Sequence, residues 1–158
     1  MSDARFQDGA DRPLHLLVRD PADVTVLSAL VQDAVVPVGE VRLDRRVRRV
    51  AMLVNRFRWE DRASAEAAGR GYERVRSLLV IEDVLALQSH GFDRQDSGMV
   101  LWILTLRFEP GAETTGRLVL TLAGGGAIAV DVEALEMRLE DVTRPYLSPS
   151  GRVPSHPE

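Results

Sequence analysis

The sequence has no cysteine, no lysine, only three histidines, and aromatic residues at just 5%. Without cysteine there is no disulfide, no thiolate nucleophile and no thiolate-built zinc or iron–sulfur site. His15, His90 and His156 include no pair at metal-ligand spacing, so the sequence implies neither a metal nor a cofactor. Gly124-Gly125-Gly126 lacks the lysine that closes a phosphate-binding P-loop, and the strand-like Ile128-Ala129-Val130 after it marks a hairpin turn. No apolar run approaches the ~20 residues of a membrane-spanning helix, and the polar, acidic first residues show no secretory apolar core. The expectation is a soluble, cytoplasmic protein without membrane association.

What is abundant is arginine, which supplies all twenty basic side chains in a chain of 158 residues and net charge −4. Residues 42–76 carry eleven arginines against five acids, while the remainder carries nine against nineteen. Seven of those arginines crowd the stretch Val41 to Asp61 around the apolar run Val50-Ala51-Met52-Leu53-Val54. That run is apolar on both alternating faces, as in a strand covered on both sides. The stretch reads as a hairpin with a core centre and cationic ends.

Along the chain, residues 1–12 read as a flexible arm, 13–143 as one domain and 144–158 as a proline-rich tail. Leu14 to Val18 is a short strand. Asp20-Pro21-Ala22-Asp23 then starts a helix, with Asp20 as cap and Pro21 preset for the first helical position. Val24, Leu27, Val31, Ala34 and Val35 continue at helical spacing until Pro37 and Gly39 close the segment. Beyond this the period changes to two. Strands are expected at 40–43, 47–59, 72–81, 84–90, 99–108, 118–122 and 128–132, with residues 60–71 a polar, small-residue loop. The segment 133–142 fits strand or helix, with the alternation favouring strand. The fold class is α+β: one N-terminal amphipathic helix on a curved, mainly antiparallel sheet or partly closed barrel of about 7–8 strands. A pleckstrin-homology-like barrel and a hotdog-like wrap are the candidates.

Several short motifs carry a family likeness. Leu30-Val31-Gln32-Asp33-Ala34-Val35, Val38-Gly39-Glu40 and Leu53-Val54-Asn55-Arg56-Phe57-Arg58-Trp59-Glu60 come first. Leu106 to Pro110, Ala123 to Ile128 and Val132 to Glu136 follow. Together they resemble a bacterial family, found mainly in alphaproteobacteria, known as domain of unknown function 2948. The likeness spans about residues 13–145, and Asn-Arg-Phe-x-Trp-Glu is its most specific signature. The family often has cysteine where this chain has Ala134, which argues against thiol chemistry there. The resemblance implies no activity.

No catalytic constellation is read. An acid–base alternative would use Asp33, on an otherwise apolar helix, together with His90, which is next to Gly91 and close to Asp93 and Asp96. Asp33 holds the place where hotdog-type thioesterases often carry an acid, but a solvent-facing Asp33 is the plainer expectation. The favoured reading is a non-enzymatic binding module using Arg42, Arg45, Arg46, Arg48, Arg49, Arg56 and Arg58. Its partner would be a protein with an acidic surface. Nucleic acid is the disfavoured alternative, because a pI near 5.4 lies below the range of basic nucleic-acid modules. The sequence leaves a homo-oligomer open.

Overall fold

Asp20 accepts a hydrogen bond from the Ala22 backbone N–H at 2.8 Å, which with Pro21 sets the start of α1, Pro21–Val31. Val24, Leu27 and Val31 are buried at helical spacing, in one cluster with Val54, Ile103 and Leu106. Ser28 Oγ accepts from the Leu106 N–H at 2.9 Å. The helix ends where Asp33 takes φ 61, a left-handed conformation that Asp tolerates better than most residues. Val35 therefore leaves the helical stripe to which its spacing had assigned it and joins a strand. The computed structural model describes residues 12–156. The expected flexible arm, apart from Arg12, lies outside the described residues.

Among the described residues eleven strands form the sheet: β1 His15–Val18, β2 Val35–Pro37, β3 Val41–Asp44, β4 Arg49–Phe57, β5 Glu73–Ile81 and β6 Val84–His90, then β7 Val100–Pro110, β8 Gly116–Leu122, β9 Ala127–Val132, β10 Met137–Asp141 and β11 Tyr146–Leu147. Their spatial order is β1-β10-β5-β4-β2-β7-β8-β9-β6, with β3 added to β4 and β11 added to β5. Every pairing is antiparallel. The mainly antiparallel expectation therefore holds, but the count exceeds seven or eight and the ribbon is not closed into a barrel. The additional strands are short: β2 has three residues and β11 two, below the length at which alternation can be read. Segment 133–142 contains β10, as its alternation suggested.

Strand β7 joins the two halves. Its first residues pair with β2 (Val35 with Trp102, Val36 with Leu101) and its remainder pairs with β8, past an irregularity between Ile103 and Thr105. β5 and β6 are consecutive in sequence but not neighbours. Asp83, at φ 55, turns the chain so that β6 pairs with β9 at the far edge. The region 60–71 is more ordered than a loop. A 3-10 turn at Trp59–Asp61 runs into α2, Arg62–Ala68, which Gly69 stops at φ 66.

Alternation along β4 corrects the expectation of a strand covered equally on both sides. Val50, Met52 and Val54 are fully buried, whereas Ala51 and Leu53 are only partly so. The next residue with the parity of the buried set is Arg56. The fold consequently sends an arginine inward.

Candidate functional site

Arg56 is fully buried, and all five of its N–H groups are answered. Nε donates to Ser77 Oγ at 2.9 Å, and the two terminal nitrogens donate to Glu60 Oε1 and Oε2 at 2.9 and 2.7 Å. Nη2 also reaches Asp141 Oδ1 at 2.9 Å, and Nη1 has a long contact with Phe57 O at 3.5 Å. The Ser77 hydroxyl donates a hydrogen bond to Asp141 Oδ1 at 2.7 Å, and Asp141 Oδ2 accepts from the Leu14 N–H at 2.9 Å. The network thus ties β4, β5, β10 and the chain entering β1 together. Burial alone would push the Arg56 guanidinium down, but Glu60 and Asp141 outweigh it and hold it above the usual arginine value.

Arg58 is also buried, donating through Nη1 to Glu73 and lying 3.9 Å from Asp61. Asp61 in turn accepts two bonds from Arg70, each 3.2 Å long. Trp59 Nε1 donates to Gln32 O at 2.9 Å, so its indole satisfies a carbonyl at the end of α1. Phe57 stacks in tilted fashion on Trp59 and Tyr72, at centroid distances of 4.7 and 5.5 Å. The signature Asn55 to Glu60 is therefore a structural hub. Phe57 is buried at the parity opposite to Arg56, and Arg56 and Arg58 are interior groups, absent from the exposed hairpin face to which they had been assigned.

The other five arginines lie at or near the β3–β4 turn. Arg49 grips Glu82 with Nε and Nη2, the latter bond 2.9 Å long. That bond raises the Arg49 value and lowers the Glu82 value. Arg48, at φ 53, reaches Glu133 at 2.9 Å. Arg42 has only a 3.9 Å approach to Glu40. Arg45 and Arg46 are exposed and form no ion pair among the described residues. A shallow open depression runs over Arg42, Leu43, Asp44, Arg45, Arg49 and Ala51. Beside it, β3 bonds to β4 along one edge, while its other edge faces no described strand.

A second concavity, of ≈ 360 Å³, is lined by Asp33, Val35, Asn55, Arg74 and Trp102 and walled by the chain from Ser150 to Ser155. Asp33 is only 5% exposed, contrary to the plainer expectation that it faces solvent, and its Oδ1 accepts the Trp102 indole N–H at 2.7 Å. Asn55 presents Oδ1 to Arg74 Nε at 2.8 Å and donates its amide to Tyr146 OH. His156 meets Trp102 edge-on, with centroids 5.3 Å apart.

His90 is exposed at the end of β6 and does not line this concavity. Strands β7, β8 and β9 separate β6 from β2, the strand that follows Asp33. The two residues of the acid–base alternative are thus not brought together. Sequence reasoning passed over Arg74, Trp102, Ser77 and Asp141. Only Ser77 carried a signal, as the polar residue that shares the alternating face of Val75, Leu79 and Ile81 in β5.

Among the described residues no group of three or more His, Asp or Glu could hold a metal ion, and no helix is long and apolar enough to cross a membrane. Fold and site together define a mostly antiparallel, open-sheet fold with few helices, cross-braced by a buried arginine–carboxylate network. The chain belongs to the family described as Protein of unknown function (DUF2948), which matches residues 14–156. No curated protein and no solved structure matches it, so the hotdog-like and pleckstrin-homology-like comparisons go no further.

Proposed function

We propose that this protein is a non-enzymatic binding module that takes an acidic, extended protein segment along β3. The supporting observation is the edge of β3 that faces no described strand, flanked by Arg42, which has only the 3.9 Å approach to Glu40, and by Arg45 and Arg46, which form no ion pair among the described residues. An added strand gains main-chain hydrogen bonds from such an edge, and flanking cations select its charge. Arg48 and Arg49 border the same face but are engaged by Glu133 and Glu82, so they contribute less. Nucleic acid remains the disfavoured partner. The burial of Arg56 and Arg58 withdraws two of the seven arginines from any contact with a phosphate backbone.

A fluorescent poly-glutamate peptide and an oligouridine of equal charge separate these partners. The peptide should bind at low salt, weaken as salt is added, and be lost in the Arg42→Glu/Arg45→Glu/Arg46→Glu variant. Absence of peptide binding, or binding indifferent to the triple substitution, overturns the proposal. Stronger binding of the oligouridine would transfer the surface to nucleic acid.

A further inference from the structure

Arg74 is half-buried and differs from the interior arginines in what surrounds it. Arg56 and Arg58 each meet a carboxylate directly, whereas Arg74 is held by Asn55 alone, through Nε to the side-chain oxygen and Nη2 to the main-chain oxygen at 2.9 Å. No carboxylate forms an ion pair with it among the described residues. Burial pushes its guanidinium down, against the pull of Tyr146 and Asp33. Two of its five N–H groups are used, and both lie on the Nε side. The end-on fork of Nη1 and Nη2 remains for a planar oxyanion. Asp33 lines the same cleft with one oxygen bonded to Trp102, which leaves its second oxygen as an acceptor. The cleft therefore holds one anion, Asp33, and two cations, the half-buried Arg74 on the sheet and the exposed Arg152 on the outer wall, and Asp33 forms no ion pair with either among the described residues. Val35 and Pro154 add apolar wall, and the volume falls within the range of small-molecule sites.

We propose that the cleft binds a small zwitterion of the amino-acid type, its carboxylate on the Arg74 fork and its ammonium group on Asp33. A ligand with both charges completes two partly desolvated groups at once, whereas a simple anion on Arg74 would leave the buried Asp33 carboxylate without a cationic partner. The chain from Ser150 to Ser155 forms the outer wall, enclosing the ligand against the sheet. This site is separate from the β3 edge and stands or falls without it.

The two tryptophans supply the assay. The Trp102 indole N–H sits in the cleft on Asp33, and the Trp59 indole N–H sits on Gln32 O as an internal control. Each standard amino acid is titrated to about 10 mM, enough to reveal millimolar affinity, while both indole signals are followed by proton–nitrogen NMR. At least one amino acid should shift the Trp102 signal and leave that of Trp59 in place. Arg74→Gln and Asp33→Asn should each weaken that binding by roughly tenfold or more. Asn tolerates the left-handed backbone at position 33 and keeps an acceptor for Trp102, so Asp33→Asn should fold. Should Arg74→Gln unfold, Arg74→Lys keeps the charge, lacks the fork and should still weaken binding. A Trp102 signal that no amino acid moves overturns the proposal. So does a shift reproduced by acetate alone, or one equally strong in the variants.

Discussion

At the tip of the β3–β4 hairpin Arg45 and Arg46 are exposed and have no carboxylate partner among the described residues. At the other end of β4, Arg56 is wholly buried among Glu60, Asp141 and Ser77. The side chain is the same and the strand is continuous, yet the two ends differ in energetic consequence. An exposed guanidinium keeps its hydration and contributes little to stability. A buried one has lost its hydration and depends on having every donor answered. Position on the pleat separates them: Arg56 follows Val50, Met52 and Val54 onto the inner face, whereas Arg45 and Arg46 lie in the turn, where no face is covered.

The sharpest way to break this comparison is Arg56→Met. It leaves Glu60 and Asp141 without their cation and should cost about 3–5 kcal/mol, measured by urea denaturation. A loss below about 1 kcal/mol would show that the network is no more than a surface pair in consequence. Glu82→Gln, which removes the partner of Arg49, tests the intermediate case and should cost about 0.2–1 kcal/mol at neutral pH. The Arg49 bond lowers Glu82 below its ordinary value of 4.5, so this stability is present above that value. It is lost as pH falls through the lowered folded-state value, and the difference between the variant and the parent should close over that acid range. A difference that persists at the acid end would assign the effect to packing instead. Arg46→Gln at the tip should shift stability by no more than about 0.5 kcal/mol in either direction, read by the same denaturation curves.

Part of this arrangement was legible beforehand. The Asp20-Pro21 helix start, the β3–β4 hairpin and the triglycine turn into β9 rest on local rules, and each appears where those rules put it. The motif Asn55 to Glu60 also stood out, but its role did not. Arginine is usually exposed, and that prior overrode the parity signal running from Val50 to Arg56. Strand β2 was missed because Val35 fits the helical stripe of α1 until Asp33 takes its left-handed turn. The amino-acid cleft was hidden for a different reason: Asp33, Asn55, Arg74, Trp102 and the chain end are scattered through the sequence and meet only across strand pairings.

Composition excluded thiol chemistry, and the short motifs identified the family, because both are properties of the chain read residue by residue. Periodicity and turn chemistry located most of the strands for the same reason, since they depend on neighbours a few residues apart. The tertiary structure alone decided which arginines are exposed and which are buried, and which carboxylate each one meets. A guanidinium acts through the partners and the dielectric around it, and for Arg56 those partners arrive from β5, β10 and the turn after β4.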